Sequence, residues 1–355
     1  MNCLRCKDVE LEVQTRGEGT DVVEIDICPQ CHGLLNKSHQ SILCRRCGAL
    51  FPICQGVPDF RFADSEFIPS EHEQSILGEL LSSYDHASFE DLIDIRYAHS
   101  RERPAEIVTQ QKKFELTYQQ KGNNRLFQIR TLMAKSHMKI NMNGWFLDIG
   151  CGTGTSIPYI MKDFKHGVGI DYSLIDLIIG KKLLEEKGID NLRLICADAR
   201  HLPFREEIFS FANATDVIEH ILPGQEQFVS EVKRVLKKGA CFYFNSPNRF
   251  NLFTPEPHVK LRLLGFLPRA LMNRYVLHRG HGRYTSVRLL SLEELRSILR
   301  RIFGGSFFVS GPIVDTDAPA VDFKRKMVNR FPFVLWVANR LLLPVMTNHL
   351  VLAQK

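Results

Sequence analysis

Three glycines and two carboxylates are spaced so that together they could hold a nucleoside. Gly150, Gly152 and Gly154 lie in the run LDIGCGTG, where the missing Cβ atoms let the backbone turn tightly and bring its amides against a ligand. Asp171 follows the next apolar run, at a spacing where a carboxylate can accept hydrogen bonds from both ribose hydroxyls. Asp198 follows the run after that and could accept a hydrogen bond from an adenine amino group. The pattern therefore predicts a ligand that contains adenosine.

Cysteine pairs near the start of the chain are a second set of residues with evident chemistry. Six of the ten cysteines form three C-x-x-C pairs before residue 48, a pattern that in a reducing compartment favours a metal site over disulfides. Cys28 and Cys31 are separated by twelve residues from the pair Cys44 and Cys47, the arrangement of two knuckles that close a tetrahedral thiolate site. These four cysteines are predicted to bind a structural zinc ion, which can hold together a module too small for its own core.

The remaining cysteines leave two alternatives open. Cys3 and Cys6 could form the zinc site with the middle pair instead, and only one site can use that pair. A second, weaker site could also form from Cys3, Cys6 and Cys54 with His32 or His39. Zinc content that is unchanged by the substitution Cys44→Ser would favour the first pair.

Alternating strands and helices must position the glycine loop and the carboxylates. From residue 145 onward, strand-like and helix-like runs alternate at 145–149, 156–164, 168–170, 173–187, 192–196, 209–215, 224–237 and 240–245. This alternation predicts an α/β fold with a parallel, Rossmann-like sheet covered by helices on both faces. Since the carboxyl ends of parallel strands meet at the ligand-binding edge of such sheets, Gly150, Asp171 and Asp198 should converge on one crevice.

Composition divides the chain into three predicted parts. Residues 1–62 form a small cysteine-rich domain, residues 63–143 form lead-in helices, and residues 144–355 form the α/β domain. Two insertions, at about 246–290 and 312–347, interrupt the alternation. We expect substrate contacts in these insertions, because loops on a rigid sheet carry specificity.

Positive charge is concentrated in the first insertion. The chain of 355 residues has 46 Lys or Arg against 40 Asp or Glu, and its 44% apolar content excludes a disordered or collagenous protein. Residues 245–290 contain eight Lys or Arg and one acid, a net charge of +7. With its aromatic residues, among them Phe250, Phe253 and Tyr275, this stretch predicts an irregular active-site lid that binds an anion, because Arg forms bidentate contacts with phosphate. A solvated surface is the alternative.

The two ends of the chain bear on its location. The start MNCLRCKDVE has no apolar run behind a basic end, so we expect a cytoplasmic protein without a secretory signal peptide. The apolar stretch 331–352 contains two prolines and several polar residues, too many for a membrane-spanning helix. The basic cluster before it makes 324–347 a candidate for peripheral contact with the inner face of a membrane. Burial of this segment against the sheet is the alternative.

The motifs of the α/β domain resemble those of the class I S-adenosylmethionine-dependent methyltransferases, particularly the small-molecule type related to quinone biosynthesis. The resemblance spans about 145–355 and is carried by LDIGCGTG, GIDYS, CADARHLPF, TDVIEH and VLKKG. It implies a seven-stranded sheet that ends in a reversed hairpin formed by the run LVLAQK. It also implies that S-adenosylmethionine is held by Asp148, Gly150, Cys151, Gly152, Gly154, Asp171, Tyr172, Asp198, Ala199 and Thr215.

One departure from the family, one competing family and one further resemblance bear on this interpretation. The usual Phe-Asp pair of the family appears here as Phe209-Ser210, which weakens the alignment of the fourth strand. An oxidoreductase that binds a dinucleotide would show G-x-G-x-x-G, whereas this chain has G-x-G-x-G. The cysteine module resembles short zinc ribbons that are fused to methyltransferases or act as their partners.

Methyl transfer from a sulfonium needs an aligned acceptor and exclusion of water, and it needs a base only where the acceptor loses a proton. His220 in TDVIEHI is the first candidate for that base. His258 and His281 in the first insertion are its rivals, and Tyr284 is a candidate orienting group. Packing or helix capping is the alternative role for His220.

The expected function is methylation of a small or lipid-linked, anionic acceptor, such as a surface glycan, glycolipid or nucleotide-sugar precursor. The first insertion resembles methyltransferases of bacterial surface-glycan or glycolipid synthesis. The alternative is an RNA or protein methyltransferase that grips a macromolecule with the ribbon and the basic insertion. The absence of a regular basic helix or an aromatic RNA-binding pattern in the sequence argues against nucleic acid. A scaffold without activity is disfavoured by the intact glycines and carboxylates.

Overall fold

The computed structural model describes residues 25–62, 71–99, 105–141, 143–160, 162, 164–313 and 341–355. The alternative zinc ligands Cys3 and Cys6, and residues 324–340 of the candidate membrane segment, lie outside the described residues.

The N-terminal module is a four-stranded antiparallel sheet. Its strands, in spatial order, are β1 (Leu35–Lys37), β2 (Ser41–Cys44), β3 (Leu50–Cys54) and β4 (Val57–Pro58). The strands are short because the turns that carry the two cysteine pairs flank them: β1 follows the first pair, and Cys44 ends β2.

Four helices lie between this module and the second sheet. They are α1 (Glu71–Ser83), α2 (Phe89–Ala98), α3 (Ala105–Leu116) and α4 (Tyr118–Ser136). Helix α2 begins at a capping box, in which the Ser88 side chain accepts from the Asp91 amide and the Asp91 carboxylate accepts from the Ser88 amide. Ile129 and Leu132 of α4 are fully buried, so the apolar positions three residues apart face the core.

The second sheet has seven strands and confirms the predicted α/β class. In spatial order the strands are β10 (Phe307–Ser310), β11 (Asn348–Gln354), β9 (Leu236–Pro247), β8 (Phe209–Thr215), β5 (Trp145–Ile149), β6 (His166–Asp171) and β7 (Leu192–Cys196). The pairs from β9 through β7 are parallel, and β11 is antiparallel to both β9 and β10, so the reversed hairpin is present. Chain order reverses at β5, which opens a crevice at the carboxyl ends of β5, β6 and β8.

Helices and the N-terminal module cover the two faces of this sheet. The remaining helices are α5 (Ile157–Ile160), α6 (Leu174–Glu186), α7 (Gln225–Val235), α8 (Arg269–His278) and α9 (Leu292–Phe303). Most of the module packs on one face with α7 and α9, whereas its Cys54 and Val57 pack on the other face with α1, α2, α4 and α6. Strand side chains alternate accordingly: Leu147 and Ile149 belong to the first core and Phe146 to the second.

The N-terminal module joins the second sheet through backbone hydrogen bonds. The Ile27 amide donates to the Pro203 carbonyl at 3.0 Å, and the Phe60 amide donates to the Cys196 carbonyl at 2.8 Å. Asp26, at 4% exposure, also accepts from Arg193 at 2.6 Å. The module therefore closes the edge of the sheet at β7.

Two sequence predictions about elements were wrong in part. The first insertion is not irregular throughout, since it contains α8, whose Met272 and Val276 lie one turn apart and pack on Leu261 and Leu264. This helix carries Arg269 and Arg274, so the expected absence of a regular basic helix is wrong, whereas the missing aromatic RNA-binding pattern still argues against nucleic acid. Helix α5 begins at Ile157 rather than at the predicted residue 156, because residues 155 and 156 continue the turn of the glycine loop. No helix in the described ranges has the length and apolar character to cross a bilayer.

Candidate functional site

The glycine loop turns from β5 into α5 over the ends of β5 and β6. Gly150 has a φ of 66°, and a Cβ there would lie 2.3 Å from Cγ2 of Val217, so a side chain is excluded. The Cys151 amide donates to the Ile170 carbonyl at 3.0 Å, and the Gly154 amide donates to the Cys151 carbonyl at 2.9 Å. These bonds hold the loop against the end of β6.

Asp171 connects the loop to the end of β6. Its Oδ2 accepts from the Gly152 amide at 2.7 Å and its Oδ1 accepts from the Ser173 amide at 2.9 Å. Burial raises the pKa of Asp171, and the amides of Ser173, Gly152 and Tyr172 lower it in part. Because each carboxylate oxygen has two acceptor positions, the carboxylate can accept a ribose hydroxyl in addition to these amides.

A cavity of about 530 Å³ lies along the carboxyl ends of the strands, within the range of ~300–1,000 Å³ that is usual for small-molecule sites. Six of the predicted ligand-binding or catalytic residues line this cavity: Gly150, Asp171, Tyr172, Asp198, Ala199 and His220. The lining also includes Arg200, Asp216 and Leu222, which the sequence analysis did not single out.

Asp148 is buried behind the loop and is not among the residues lining the cavity. Asn213 Nδ2 donates to its Oδ1, and Arg125 Nη1 lies 3.5 Å from its Oδ2. Burial raises the pKa of Asp148, whereas Arg125 lowers it. Thr215 also contacts Asn213, at 3.5 Å between Oγ1 and Oδ1. The predicted cofactor-binding residues that do not line the cavity are Asp148, Cys151, Gly152, Gly154 and Thr215.

Asp198 lines the cavity, but its carboxylate is already paired. The Arg200 side chain donates to both of its oxygens, at 2.7 to 3.1 Å, and the Arg200 amide donates to Oδ1 at 2.8 Å. An adenine amino group would therefore share this carboxylate with Arg200.

The structure brings together two of the three candidate histidines. The ring centroids of His220 and His258 are 5.0 Å apart, at an interplanar angle of 81°. Burial lowers the pKa of His220, and His258 lowers it further. His258 Nδ1 lies 2.6 Å from Oε1 of Glu256. His281 lies at the end of α8, where its amide donates to the Val276 carbonyl, and the structure does not place it at the cavity.

Glu219 is a buried carboxylate beside these histidines that the sequence analysis missed. It has no solvent exposure, and its Oε2 accepts from Ser246 Oγ at 3.4 Å. Burial, followed by the neighbouring Asp216, raises the pKa of Glu219 to about 8. Its position next to His220 in TDVIEHI was the available signal.

A second cavity, of about 230 Å³, adjoins the first, since Leu222 lines both. Its wall includes Arg249, Arg269, Arg288 and Tyr284. Arg269 is paired with Glu294 at 2.7 Å, whereas the side chain of Arg288 is 51% exposed and lies 3.8 Å from the same carboxylate. The positive charge predicted for the first insertion is thus partly collected around one small cavity.

Four cysteine sulfurs of the N-terminal module lie within 4.8 Å of one another. Cys28 Sγ is 3.7 Å from Cys47 Sγ, and Cys31 Sγ is 3.4 Å from Cys44 Sγ. Zinc at ~2.3 Å from each of four tetrahedral thiolates would place the sulfurs ~3.8 Å apart. The favoured set of cysteines therefore fits a zinc ion.

Comparison with known proteins bears on the α/β domain. Residues 147–244 match the family described as a methyltransferase domain. The chain is 36% identical to phosphatidylethanolamine N-methyltransferase of Cereibacter sphaeroides, over 27% of this chain and 47% of that relative. It is 31% identical to a probable chloroplastic tocopherol O-methyltransferase of Oryza sativa subsp. japonica, over 42% of each chain. It is 29% identical to demethylmenaquinone methyltransferase of Lactiplantibacillus plantarum, over 36% of this chain and 55% of that relative.

The matched segment coincides with the part of the sheet that builds the first cavity. It begins in β5, three residues before Gly150 of the glycine loop, and it ends in β9. The chain spans about half the length of these relatives. The glycine loop and the strand order agree with this match, and residues 147–244 of the chain contain a methyltransferase domain.

Proposed function

We propose that this protein transfers the methyl group of S-adenosylmethionine to a small or lipid-linked acceptor that carries an anionic group. The observation that supports this most is the convergence of Gly150, Asp171 and Tyr172 on one cavity at the carboxyl edge of the parallel strands. The relatives named above are methyltransferases for phosphatidylethanolamine, a tocopherol and demethylmenaquinone, which favours a lipid-like acceptor.

S-adenosylmethionine would supply a methyl group on a positively charged sulfur. The residues proposed to hold it are Asp171 for the ribose, Asp198 with Arg200 beside the adenine, and the glycine loop for the methionine part. The protein's own task is to align the acceptor with the methyl group and to exclude water. Among the candidate bases, His220 is the one that lines the cavity, so it is the histidine best placed to accept a proton from an acceptor.

The second cavity supports the proposal of an anionic acceptor. Arg249 uses its Nε and Nη2 on the carbonyls of Gly265 and Leu267, so its guanidinium is held in place. Burial and the nearby Arg269 both lower the pKa of Arg249, which reflects like charges gathered at one place. An acceptor phosphate or carboxylate would relieve this repulsion through bidentate contacts.

Exposed apolar side chains in the first insertion support a lipid-linked acceptor. Those between residues 252 and 277 are Leu252, Phe253, Leu263, Phe266, Leu271, Tyr275 and Leu277. Apolar surface beside basic residues is typical of peripheral contact with an anionic membrane.

Sedimentation with anionic vesicles tests this surface. The double variant Phe253→Ser/Leu271→Ser should bind the vesicles less than the parent does. The control Leu34→Ser, which changes an exposed leucine of the N-terminal module, should bind them as the parent does. Equal binding by both variants would leave the segment 324–347 as the candidate.

We also propose that Cys28, Cys31, Cys44 and Cys47 bind a structural zinc ion. The module that they hold together reaches the first cavity through Arg61, whose Nη1 donates to the Tyr172 carbonyl at 3.1 Å. The Arg61 guanidinium also lies 5.3 Å from the centroid of the Tyr172 ring. The zinc site would therefore help to fix one wall of the cavity.

Transfer of labelled methyl groups in a cell extract tests the acceptor class. Purified protein and methyl-labelled S-adenosylmethionine are added to an extract, which is then split into lipid, RNA, protein and soluble fractions. We expect label in the lipid or soluble fraction with the parent and with Asp190→Ala, which changes an exposed aspartate, and little label with Asp171→Ala. Label in RNA or protein would contradict this proposal and favour a macromolecular acceptor.

A further inference from the structure

Glu219, His220 and His258 form a cluster at the wall of the first cavity. One carboxylate oxygen of Glu219 and one ring nitrogen from each histidine all lie within 4.8 Å of one another. The two imidazole rings meet edge to face, so neither ring covers the other's nitrogen atoms by stacking. Two imidazoles and one carboxylate at such distances are a common ligand set for divalent transition metals.

Both histidines have a second contact of the kind that orients metal ligands. His258 Nδ1 is engaged by Glu256, whose Oε2 also accepts from the amides of His258 and Val259, at 2.8 and 2.7 Å. Nε2 is therefore the nitrogen that His258 has left for a ligand. The backbone of Ser286 lies beside the ring of His220. Histidine ligands usually donate their second ring N–H to a carboxylate or a backbone carbonyl, which fixes the orientation of the ring.

Glu219 supplies an independent observation. Its side chain has no solvent exposure, and its Oε1 is buried without a hydrogen-bond partner among the described residues. A buried carboxylate oxygen without a donor or a cation is strongly unfavourable. The edge-to-face contact of the two histidine rings leaves Oε1 without a partner, whereas a bound cation would satisfy it.

We propose that Glu219, His220 and His258 bind a divalent transition metal ion. Three protein ligands leave further coordination positions open, as in catalytic rather than structural metal sites. His220 also lines the first cavity, so the ion would lie beside the methyl donor. This last placement rests on the proposed function, whereas the metal site itself does not.

The position of the site implies an acceptor with a hydroxyl group. A metal-bound hydroxyl loses its proton more easily, and that proton leaves to water. The acceptor oxygen then forms a bond to the methyl carbon while the carbon–sulfur bond breaks, and the electron pair of that bond stays on sulfur as a neutral thioether. In this arrangement His220 is a metal ligand and needs no role as the base.

Binding of Mn²⁺ to the full-length chain, loaded beforehand with one equivalent of zinc that the thiolates take up, tests the site. Mn²⁺ is the probe because carboxylate and imidazole ligands accept it, whereas thiolates prefer zinc. The electron paramagnetic resonance signal of free Mn²⁺ measures the amount bound. We expect the parent chain to bind about one Mn²⁺. We expect Glu219→Gln and His258→Asn each to weaken Mn²⁺ binding tenfold or more. The reason is that loss of an orienting contact already weakens metal binding ~10–100-fold, and loss of a ligand should weaken it at least as much. The matched control is His86→Asn, which changes an exposed histidine after α1 and should bind Mn²⁺ as the parent does.

Two results would overturn the proposal: no Mn²⁺ binding by the parent chain, or undiminished binding by His258→Asn with its fold intact. His258 is less buried than Glu219, so His258→Asn decides if Glu219→Gln does not fold. Calorimetry with S-adenosylmethionine on the same samples separates this proposal from the proposed function. Mn²⁺ binding without affinity for S-adenosylmethionine would support the metal site and contradict the methyl-donor site. Affinity for S-adenosylmethionine without Mn²⁺ binding would contradict the metal site alone.

Discussion

Close approach of the backbone to Val217 requires glycine at position 150. We expect Gly150→Ala to weaken S-adenosylmethionine binding and to lower the free energy of unfolding by more than the ~1–2 kcal/mol that a left-handed backbone alone costs. The reason is the 2.3 Å approach of the new Cβ to Val217 Cγ2. Calorimetry and urea denaturation measure the two effects.

Gly188→Ala is the matched control for this prediction. Gly188 has a φ of 61°, but nothing lies within 4 Å of its Cβ position, so the backbone effect alone should appear there. Val217→Ala should partly rescue Gly150→Ala, because it removes both Cγ atoms. Equal losses in the two alanine variants, without rescue, would show that contact with Val217 is not the cause.

Residues within one motif were predictable from the sequence, whereas contacts between motifs were not. Asp171 could be singled out because its distance from the glycine loop along the chain is regular. The pairing of Asp148 with Arg125 joins β5 to α4, and no local pattern marks it. Glu219 was missed for another reason: a carboxylate in a polar motif gives no sign in the sequence that it is fully buried.

Among the elements, strands and helix starts followed the sequence more closely than the insertions did. Ser291 forms the expected capping box with Glu294 at the start of α9, because both hydrogen bonds lie within four residues. Helix α8 was missed because its apolar residues pack on Leu261 and Leu264, upstream in the same insertion. Local caps are encoded locally, whereas a small satellite core depends on how the insertion folds.

The final strand, β11, contains a buried histidine that predicts a pH dependence of stability. His349 is 1% exposed, and burial lowers its pKa to about 4. An unfolded histidine has a pKa of about 6.5, so between these values the unfolded chain binds more protons than the folded chain. Stability should therefore fall as the pH falls from about 6.5 towards 4, by roughly 3 kcal/mol from this residue alone.

Urea denaturation at several pH values between 7 and 4.5 measures this contribution. We expect His349→Leu to flatten the loss of stability over this range relative to the parent. His86→Leu, at an exposed histidine, should leave the loss unchanged. A parallel pH dependence for His349→Leu and the parent would show that His349 is not the source.

For the whole molecule, the N-terminal module is joined to the methyltransferase domain closely enough to couple zinc to the cofactor cavity. We expect Cys44→Ser to lower the zinc content by about one ion per chain, because a three-thiolate site is incomplete. It should also weaken S-adenosylmethionine binding through Arg61 and Tyr172. Metal analysis and calorimetry on the same sample measure both effects.

Cys241→Ala is the control, since Cys241 lies in β9 and outside the cysteine cluster. It should retain zinc. Full zinc content in Cys44→Ser would contradict the assignment and favour Cys3 and Cys6 as ligands.

The presence of the module was predictable from its cysteine spacing, but its docking site was not. Two of the contacts that join it to the sheet are backbone hydrogen bonds, from Ile27 to Pro203 and from Phe60 to Cys196. Backbone groups are the same at every residue, so no composition or periodicity marks such an interface.

Titration calorimetry with S-adenosylmethionine tests the central claim most directly. We expect the parent chain and Asp190→Ala to bind the molecule, and Asp171→Ala to bind it at least tenfold more weakly, because hydrogen bonds to a charged group contribute about 1.5–3 kcal/mol each. Thermal unfolding of each sample shows whether the variant is folded. No binding by the parent chain, or full affinity in folded Asp171→Ala, would contradict the claim.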